Sequence, residues 1–489
     1  MPSAEPSRVH PPGEYPVVVV GSGPGALQTS YALSRLGVEH AAVSQDDSPG
    51  GMFRKWPIYQ RLLSWTKPDA PHERTTRAYE WYDHNSLIAD EPELRATAAA
   101  EMDRTHMVPS RPEMERSLAA FAERGGVRVR YGCRWEGTRR EDDRYVLLTS
   151  DGEYRCRAVV FALGVTEPWR SAIPGIGDVP HYADTPAAAK FQGKSVLVIG
   201  KRNSGFELAD GLEPWARQIF LVSPRPVQSA VLAAATVRVR YFEPLEDAAW
   251  GGGTFALDAA VERIERTGEG RFRLHAQGTT RPGEITLEAD EAIAATGFRT
   301  PLRDLQTQGL ATVADGRIPA LTPYWESTTM KGVYFAGNAM QGAAGLRKNG
   351  IGSASGTVSG FRYNARLLAR QIAKQLGAKL EWPQLGRDEI VSFLLEELRS
   401  GPEIWTQKGY LARAVYPDGS TDIVPLAHFL DHCERGSLAV TIEMNATGDI
   451  YPVAYVRAGE EIDERPMPPA HLNDFSGGEY RRVLETLLP

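Results

Sequence analysis

Two glycine-rich turns carry the chemistry that this chain can offer. The first reads Val17-Val18-Val19-Val20-Gly21-Ser22-Gly23-Pro24-Gly25-Ala26, and the second Val196-Leu197-Val198-Ile199-Gly200-Lys201-Arg202-Asn203-Ser204-Gly205. Each follows an apolar run and opens a helical pattern. In the first, Gly21 permits the tight turn after the strand and Gly23 lets backbone approach a pyrophosphate. Ala26 takes the third small place, where helix and strand pack closely. The helix that follows aims its N-terminal amides at the phosphates. One such turn is a weak sign. Two in this order predict a chain that holds two dinucleotides face to face, FAD and a nicotinamide, with electrons passing through the flavin.

The strand after each turn reports on which nucleotide it takes, because an acid at that strand's end usually holds the adenosine ribose. In the first unit the strand Val38–Val43 ends in Ser44-Gln45-Asp46-Asp47, with Ser44 where a carboxylate is usual. Ser44 or Gln45 is expected to hydrogen-bond the ribose, or Asp46 to reach it after a slip. Gly50-Gly51 follows, at the spacing that brings backbone close to the cofactor, with Met52 and Trp56 just beyond. In the second unit Ile219–Val222 is followed by Ser223-Pro224-Arg225. Ser223 and Arg225 suit a 2′-phosphate that an acid would repel, and Lys201 and Arg202 add positive charge. This predicts NADPH rather than NADH. Arg202 replaces the second glycine, so its side chain must point away from the pyrophosphate.

Composition excludes several classes. A chain of 489 residues has room for about three domains, and 42% hydrophobic with 24% charged residues is ordinary for a soluble globular protein. The net charge of −7 leaves no basic excess for nucleic acid. No apolar run reaches the about 18 residues that cross a bilayer. Met1–Pro16 lacks the apolar centre of a signal peptide and reads as a loose tail. Together these predict a cytoplasmic protein without a membrane partner. The three cysteines, Cys133, Cys156 and Cys433, form no Cys-x-x-Cys pair, which disfavours a dithiol relay. They are expected to be buried small apolar residues. The ten histidines show no metal-ligand spacing, so no metal is expected.

The elements that must position these turns follow a recognisable order. After the aromatic-rich segment Pro49–Thr105 come a helix over Arg111–Arg124 and short strands at Val127–Tyr131 and Tyr145–Leu148. Ala158–Ala162 ends in Leu163-Gly164, Glu291–Ala295 in Thr296-Gly297, and Gly332–Ala336 in Gly337-Asn338, with a helix over Thr357–Gln375. The reading is an α/β chain with two Rossmann-like units. An FAD-binding domain, 15–185 and 290–378, is interrupted by an NADPH-binding domain, 190–290, with crossings at Gly164 and Gly297. A small α+β extension, 379–489, carries no assignable motif and reads as a structural cap or an oligomer contact, leaving a homo-oligomer open.

Taken with Gly50-Gly51, Pro109-Ser110-Arg111, Ala162-Leu163-Gly164, Asn203-Ser204-Gly205-Phe206-Glu207, Ala295-Thr296-Gly297-Phe298 and Phe335-Ala336-Gly337-Asn338, the first turn resembles that of the class B flavin monooxygenases. The resemblance covers about residues 15–375. It implies that NADPH reduces FAD, that dioxygen adds to give a flavin hydroperoxide, and that a small-molecule substrate takes one oxygen. The family's Phe-x-Gly-x-x-x-His signature has only the echo Ile173-Pro174-Gly175 with His181. The reading therefore leans to N-oxygenation of an amine or amino acid. Baeyer–Villiger or S-oxygenation, a non-oxygenating flavin reductase, and a silent dinucleotide sensor are the alternatives. Asn338 stands where many flavoproteins place Asp against the ribityl chain. Trp56, Tyr59, Trp65, Lys67, Trp81 and Tyr82 are candidates to line the site. The loop Ser64–Pro68 is expected to face the flavin ring with Trp65 and Lys67 inward. Arg347 and Lys348, with Asn349-Gly350, are candidates for a carboxylate.

Overall fold

The computed structural model describes residues 9–59, 61–227, 241–343, 345, 353–459 and 461–488. Its first sheet is built on Val17–Val20, four valines with both faces covered, as a central parallel strand requires. His40–Val43 pairs with it on one side and Ala158–Phe161 on the other, both parallel. Val333–Phe335 joins outside Ala158–Phe161, so a strand from far along the chain completes this sheet. The helices Pro24–Arg35 and Val358–Gln375 pack against each other beside it.

The second sheet has the parallel strands Gln218–Ser223, Ser195–Ile199 and Glu291–Ala294. Thr254–Arg266 continues it parallel to Gln218–Ser223, and Phe272–Gly278 and Glu284–Ala289 add an antiparallel meander. The two turns are local copies of one another. Gly21 (φ +133°) and Gly200 (φ +125°) both sit in the region that favours glycine. A Cβ would lie 2.5 Å from the Ala162 carbonyl oxygen at Gly21, and 2.3 Å from that of Ala295 at Gly200.

Two sequence readings change here. The described part of the N-terminal tail is not loose. Gly13–Glu14 is an edge strand on Gly152–Cys156, and the Tyr154 hydroxyl donates to the His10 carbonyl at 2.8 Å. Val127–Tyr131 forms no strand. It makes a single bridge, Arg130 to Val43, and the Arg130 side chain pairs with the Asp151 carboxylate at 2.8 Å.

Residues 411–466 form a five-stranded antiparallel sheet flanked by the helices Ile390–Ser400 and Gly478–Leu487. One apolar core runs without a break from Val17 through Leu394, Leu398 and Trp405 to Leu484, so the extension is fused to the first unit. Its polar seam is dense. Arg77 pairs with Glu397 at 2.8 Å and with Glu403, and Arg413 also reaches Glu397, at 3.0 Å. Burial alone would raise the Glu403 carboxyl. Arg77 and Arg413 override it and hold the group down at about 2. The Trp81 indole donates to the Ser400 carbonyl at 3.0 Å and its ring lies 4.6 Å from that of Trp405.

Candidate functional site

At the carboxyl ends of the first sheet's strands lies a cleft of about 410 Å³. Its walls bring together Gly21, Gly23, Pro24, Gly25, Ser44, Gln45, Asp46, Gly51, Met52, Trp56, Gly164, Gly337 and Asn338. Open parallel sheets bind ligands at this edge because the helix N-termini and flexible turns converge there. Gly25 packs against Gly337, where a Cβ would sit 2.5 Å from the Gly337 nitrogen. Gly23 is different. Its φ of −78° suits any residue, and the nearest protein atom to a Cβ there is Gly51 Cα at 3.7 Å, an ordinary contact. The protein itself does not require glycine at this position, whereas a dinucleotide pyrophosphate lying on the turn would. This cradle fits FAD. Ala26, 1% exposed, lies under the turn rather than in the cleft.

The ribose end departs from the usual single acid. The Ser22 hydroxyl donates to the Asp46 carboxylate at 2.6 Å, and the Asp46 amide donates to Ser44 Oγ at 3.1 Å. The phosphate turn and the end of the second strand are thereby joined through Asp46. Gly50 lies behind the turn with φ +135° and is absent from the cleft walls. Arg111 does not line the cleft either. It is the first residue of the helix Arg111–Arg124, capped by a reciprocal Ser110–Glu113 pair, and it donates to the Lys55 carbonyl at 2.8 Å. It supports the turn that carries Met52.

The second turn differs in electrostatics. Lys201 adds no free charge: its side chain is 1% exposed and pairs with Asp258, which also accepts from Thr280 at 2.7 Å. Asp258 sits opposite Ser223 in sheet register, so the lysine neutralises an acid beside the expected phosphate position. Arg202 and Arg225 are exposed and Ser223 is half-buried. Asn203 accepts from the Tyr241 hydroxyl at 2.6 Å, and Ser204 is half-buried in the same first turn. Thr296 and Gly297 lie at a crossing and are not among the walls of the cleft. The Thr296 hydroxyl donates to the Trp169 carbonyl at 2.6 Å, and the Gly297 carbonyl accepts from the Trp169 amide at 3.0 Å. His181 lies 3.0 Å from that same carbonyl and is wholly buried. Burial lowers its pKa, and its ring contacts the crossing at Gly297.

Among the six aromatic-segment candidates, only Trp56 reaches the cleft. Its ring lies 4.9 Å from Phe298. Glu207 accepts from the Tyr59 amide at 2.9 Å and from the Tyr182 hydroxyl at 2.5 Å, clamping this segment to the helix of the second turn. Trp65 and Lys67 face elsewhere. With Pro68, Tyr82, Arg104, His106 and Met107 they line a separate open hollow. The reason is local. Thr66 between them donates to buried Asp83 at 2.8 Å and accepts from Asn85 at 2.9 Å, and in extended backbone its neighbours point the other way. Trp81 belongs to the seam with the extension. Arg347, Lys348, Asn349 and Gly350 lie outside the described residues. Sequence reasoning missed Trp135, Pro301 and Phe361 as cleft walls, since no local pattern marks them.

The cysteines are all free. Cys133 and Cys156 are buried and Cys433 half-buried. Burial pushes the Cys156 thiol up to about 12 and the Cys433 thiol up to about 11. Among the described residues no cluster suited to a metal ion occurs, and no helix is long and apolar enough to cross a membrane.

Two dinucleotide turns, one opening on a cleft whose neighbouring segment is clamped through Glu207 to the helix of the other, define a two-dinucleotide flavoprotein oxidoreductase that takes FAD and NADP(H). The chain belongs to the pyridine nucleotide-disulphide oxidoreductase family, whose model matches residues 18–337. It is 24% identical over 463 residues to the FAD-dependent oxidoreductase domain-containing protein 2 of Danio rerio, covering 82% of this chain and 65% of the relative. It therefore spans just under two thirds of that relative's length. A ferredoxin–NADP reductase of Thermus thermophilus is 31% identical over 42% of this chain and 61% of its own. A flavin-containing monooxygenase from Stenotrophomonas maltophilia shares the fold, with a TM-score of 0.55 at 21% identity over 74% of this chain and 99% of that one.

Proposed function

We propose that the chain is an NADPH-dependent FAD monooxygenase that oxygenates a small molecule, with nitrogen of an amine or amino acid as the favoured acceptor. The observation that carries the reading is the state of the thiols. All three cysteines are free, and none lines the cleft among the described residues. Electrons leaving the cofactor therefore need an acceptor other than a disulfide of this chain, and dioxygen suits a small organic substrate. FAD, when bound, supplies the two-electron chemistry and the activation of dioxygen. The chain's residues bind and enclose. The Gly23 turn and Asp46 hold the adenosine end, Asn338 offers both a donor and an acceptor in the same cleft, and Trp56 and Phe361 wall it against water. Arg202 and Arg225 present positive charge to a 2′-phosphate.

The test is oxygen uptake with NADPH, combined with product mass. Amines, amino acids, sulfides and ketones are offered in turn, and a gain of one oxygen is sought with stoichiometric NADPH. A second reading, a reductase passing electrons to a protein, is favoured by the likeness to ferredoxin–NADP reductases. Rapid reduction of ferredoxin without any oxygenated product would establish it and overturn the first.

A further inference from the structure

The second unit has no acid at the end of its second strand, yet one stands a strand away. Ser195–Ile199 leads into the glycine turn, Gln218–Ser223 is its parallel neighbour, and Thr254–Arg266 is the next strand outward. The end of the second strand is where a unit of this kind meets the adenosine ribose. An acid there suits the free 2′-hydroxyl, and an arginine nearby suits the 2′-phosphate. Ser223 occupies that end, and Asp258 faces it in register, with the two backbones about 4.8 Å apart. An uncompensated carboxylate at Asp258 would repel a phosphate beside Ser223.

Lys201 compensates it from the opposite side. The lysine follows Gly200, whose amide donates to the Val222 carbonyl at 2.8 Å, so it starts beside the end of Gln218–Ser223. It pairs with Asp258 on the strand beyond, and its side chain therefore crosses that end. The lysine side chain is buried, while that of Asp258 is 24% exposed. Burial would raise the Asp258 carboxyl, but Lys201 and Thr280 override it and hold the group below its ordinary value. The same carboxylate anchors a second tie. The Thr280 hydroxyl donates to it at 2.7 Å, the Thr279 amide donates to the Asp258 carbonyl at 2.8 Å, and the Thr279 hydroxyl donates to the Pro224 carbonyl at 2.6 Å. Pro224 precedes Arg225, so the network around Asp258 also fastens the backbone that carries the arginine.

We propose that the Lys201–Asp258 pair sets coenzyme choice: a 2′-phosphate is accepted beside Ser223 and Arg225 only while Lys201 holds Asp258 neutralised. Lys201 is then a positioning residue. It meets the phosphate through no atom of its own and acts through Asp258. Without the lysine, Asp258 keeps its contact with solvent and with Thr280, remains a carboxylate, and supplies the acid that the second strand lacks. The chain then favours the coenzyme with a free ribose hydroxyl. This rests on the placement of NADPH at the second turn, so the test carries a separate control for that placement.

The flavin-loaded full chain is titrated by calorimetry with NADP+ and with NAD+. Lys201→Met should weaken NADP+ about 10- to 100-fold, the effect of placing like charges side by side, and leave NAD+ unchanged. The double variant Lys201→Met with Asp258→Asn removes both charges and should bind NADP+ as the wild type does. If Lys201→Met does not fold, Lys201→Gln keeps a hydrogen bond to Asp258 while dropping the charge, and is read in the same way. The proposal is overturned if the Lys201 variants lose both nucleotides equally, which would make the pair merely structural, or if they bind NADP+ like the wild type. It is also overturned if Asp258→Asn brings no recovery, since the lysine itself would then meet the phosphate. Arg225→Ala reports on the placement alone. Selective loss of NADP+ there but not at Lys201 leaves the placement standing and overturns the inference. Selective loss at Lys201, restored by Asp258→Asn while Arg225→Ala has no effect, carries the inference and moves the phosphate off Arg225.

Discussion

Replacing Gly23 by alanine separates what the fold needs from what the dinucleotide needs. A methyl at Gly23 meets nothing nearer than Gly51 Cα at 3.7 Å, and the backbone is already extended there. The flavin-free variant should keep its stability within about 0.5 kcal/mol, as a substitution that strains nothing does. Gly21→Ala is the matched control. Its φ of +133° costs an L-residue about 1–2 kcal/mol, and a methyl 2.5 Å from the Ala162 carbonyl oxygen adds about 1–3 kcal/mol of overlap. That variant should lose about 2–5 kcal/mol before any cofactor is considered. In Gly23→Ala the methyl projects over the turn where the pyrophosphate must approach. Loss of one amide–phosphate hydrogen bond, about 1.5–3 kcal/mol, weakens FAD about 10- to 100-fold. The assays are flavin content after purification, Kd from quenching of FAD fluorescence, and urea midpoints of the stripped proteins. An unchanged FAD Kd in Gly23→Ala would refute the placement of the pyrophosphate. Stripped Gly23→Ala as unstable as Gly21→Ala would refute the claim that the protein leaves this face open.

Arg225→Ala should raise the KM for NADPH about 10- to 100-fold while sparing NADH, by the same charge-assisted arithmetic; equal loss with both coenzymes sinks the assignment. Arg77→Met leaves Glu403 without its nearest cation and Glu397 with Arg413 alone, and should destabilise the chain by about 3–5 kcal/mol in urea, with Arg77→Lys intermediate. His84 titrates at about 4 in the fold against 6.5 in the unfolded chain. The unfolded state therefore binds the extra proton between those values, and the stability from this group is complete above pH 6.5 and lost as pH falls toward 4. The full shift corresponds to about 3 kcal/mol, and His84→Gln should flatten the urea midpoint over that window. An unaltered slope would mean that His84 is not buried as neutral imidazole.

Much of the architecture was legible because it rests on local rules. Val17–Val20 and Val196–Ile199 are apolar on both faces, and each is followed by a glycine whose φ only glycine adopts cheaply. Those facts locate two strand–turn–helix units from residue types alone. Ser110 and Glu113 likewise mark the start of the helix Arg111–Arg124 before any contact is known. The cleft walls were legible where they consist of these turns, at Gly23, Asn338 and the Ser44–Asp46 stretch.

What sequence could not decide is the direction in which side chains point and which distant charge each one meets. Trp65 and Lys67 were expected inward, but the register set by Thr66 on Asp83 turns both outward. Lys201 was counted as free charge until a strand fifty-odd residues on placed Asp258 against it. The extension carries no motif, yet only folding shows that its Glu397 and Glu403 meet Arg77 of the first unit. Turns and strands are specified by the steric preferences of neighbouring residues, which sequence displays directly. Burial, pairing and the facing of side chains depend on groups that approach only when the whole core closes, and for these the tertiary structure alone is decisive.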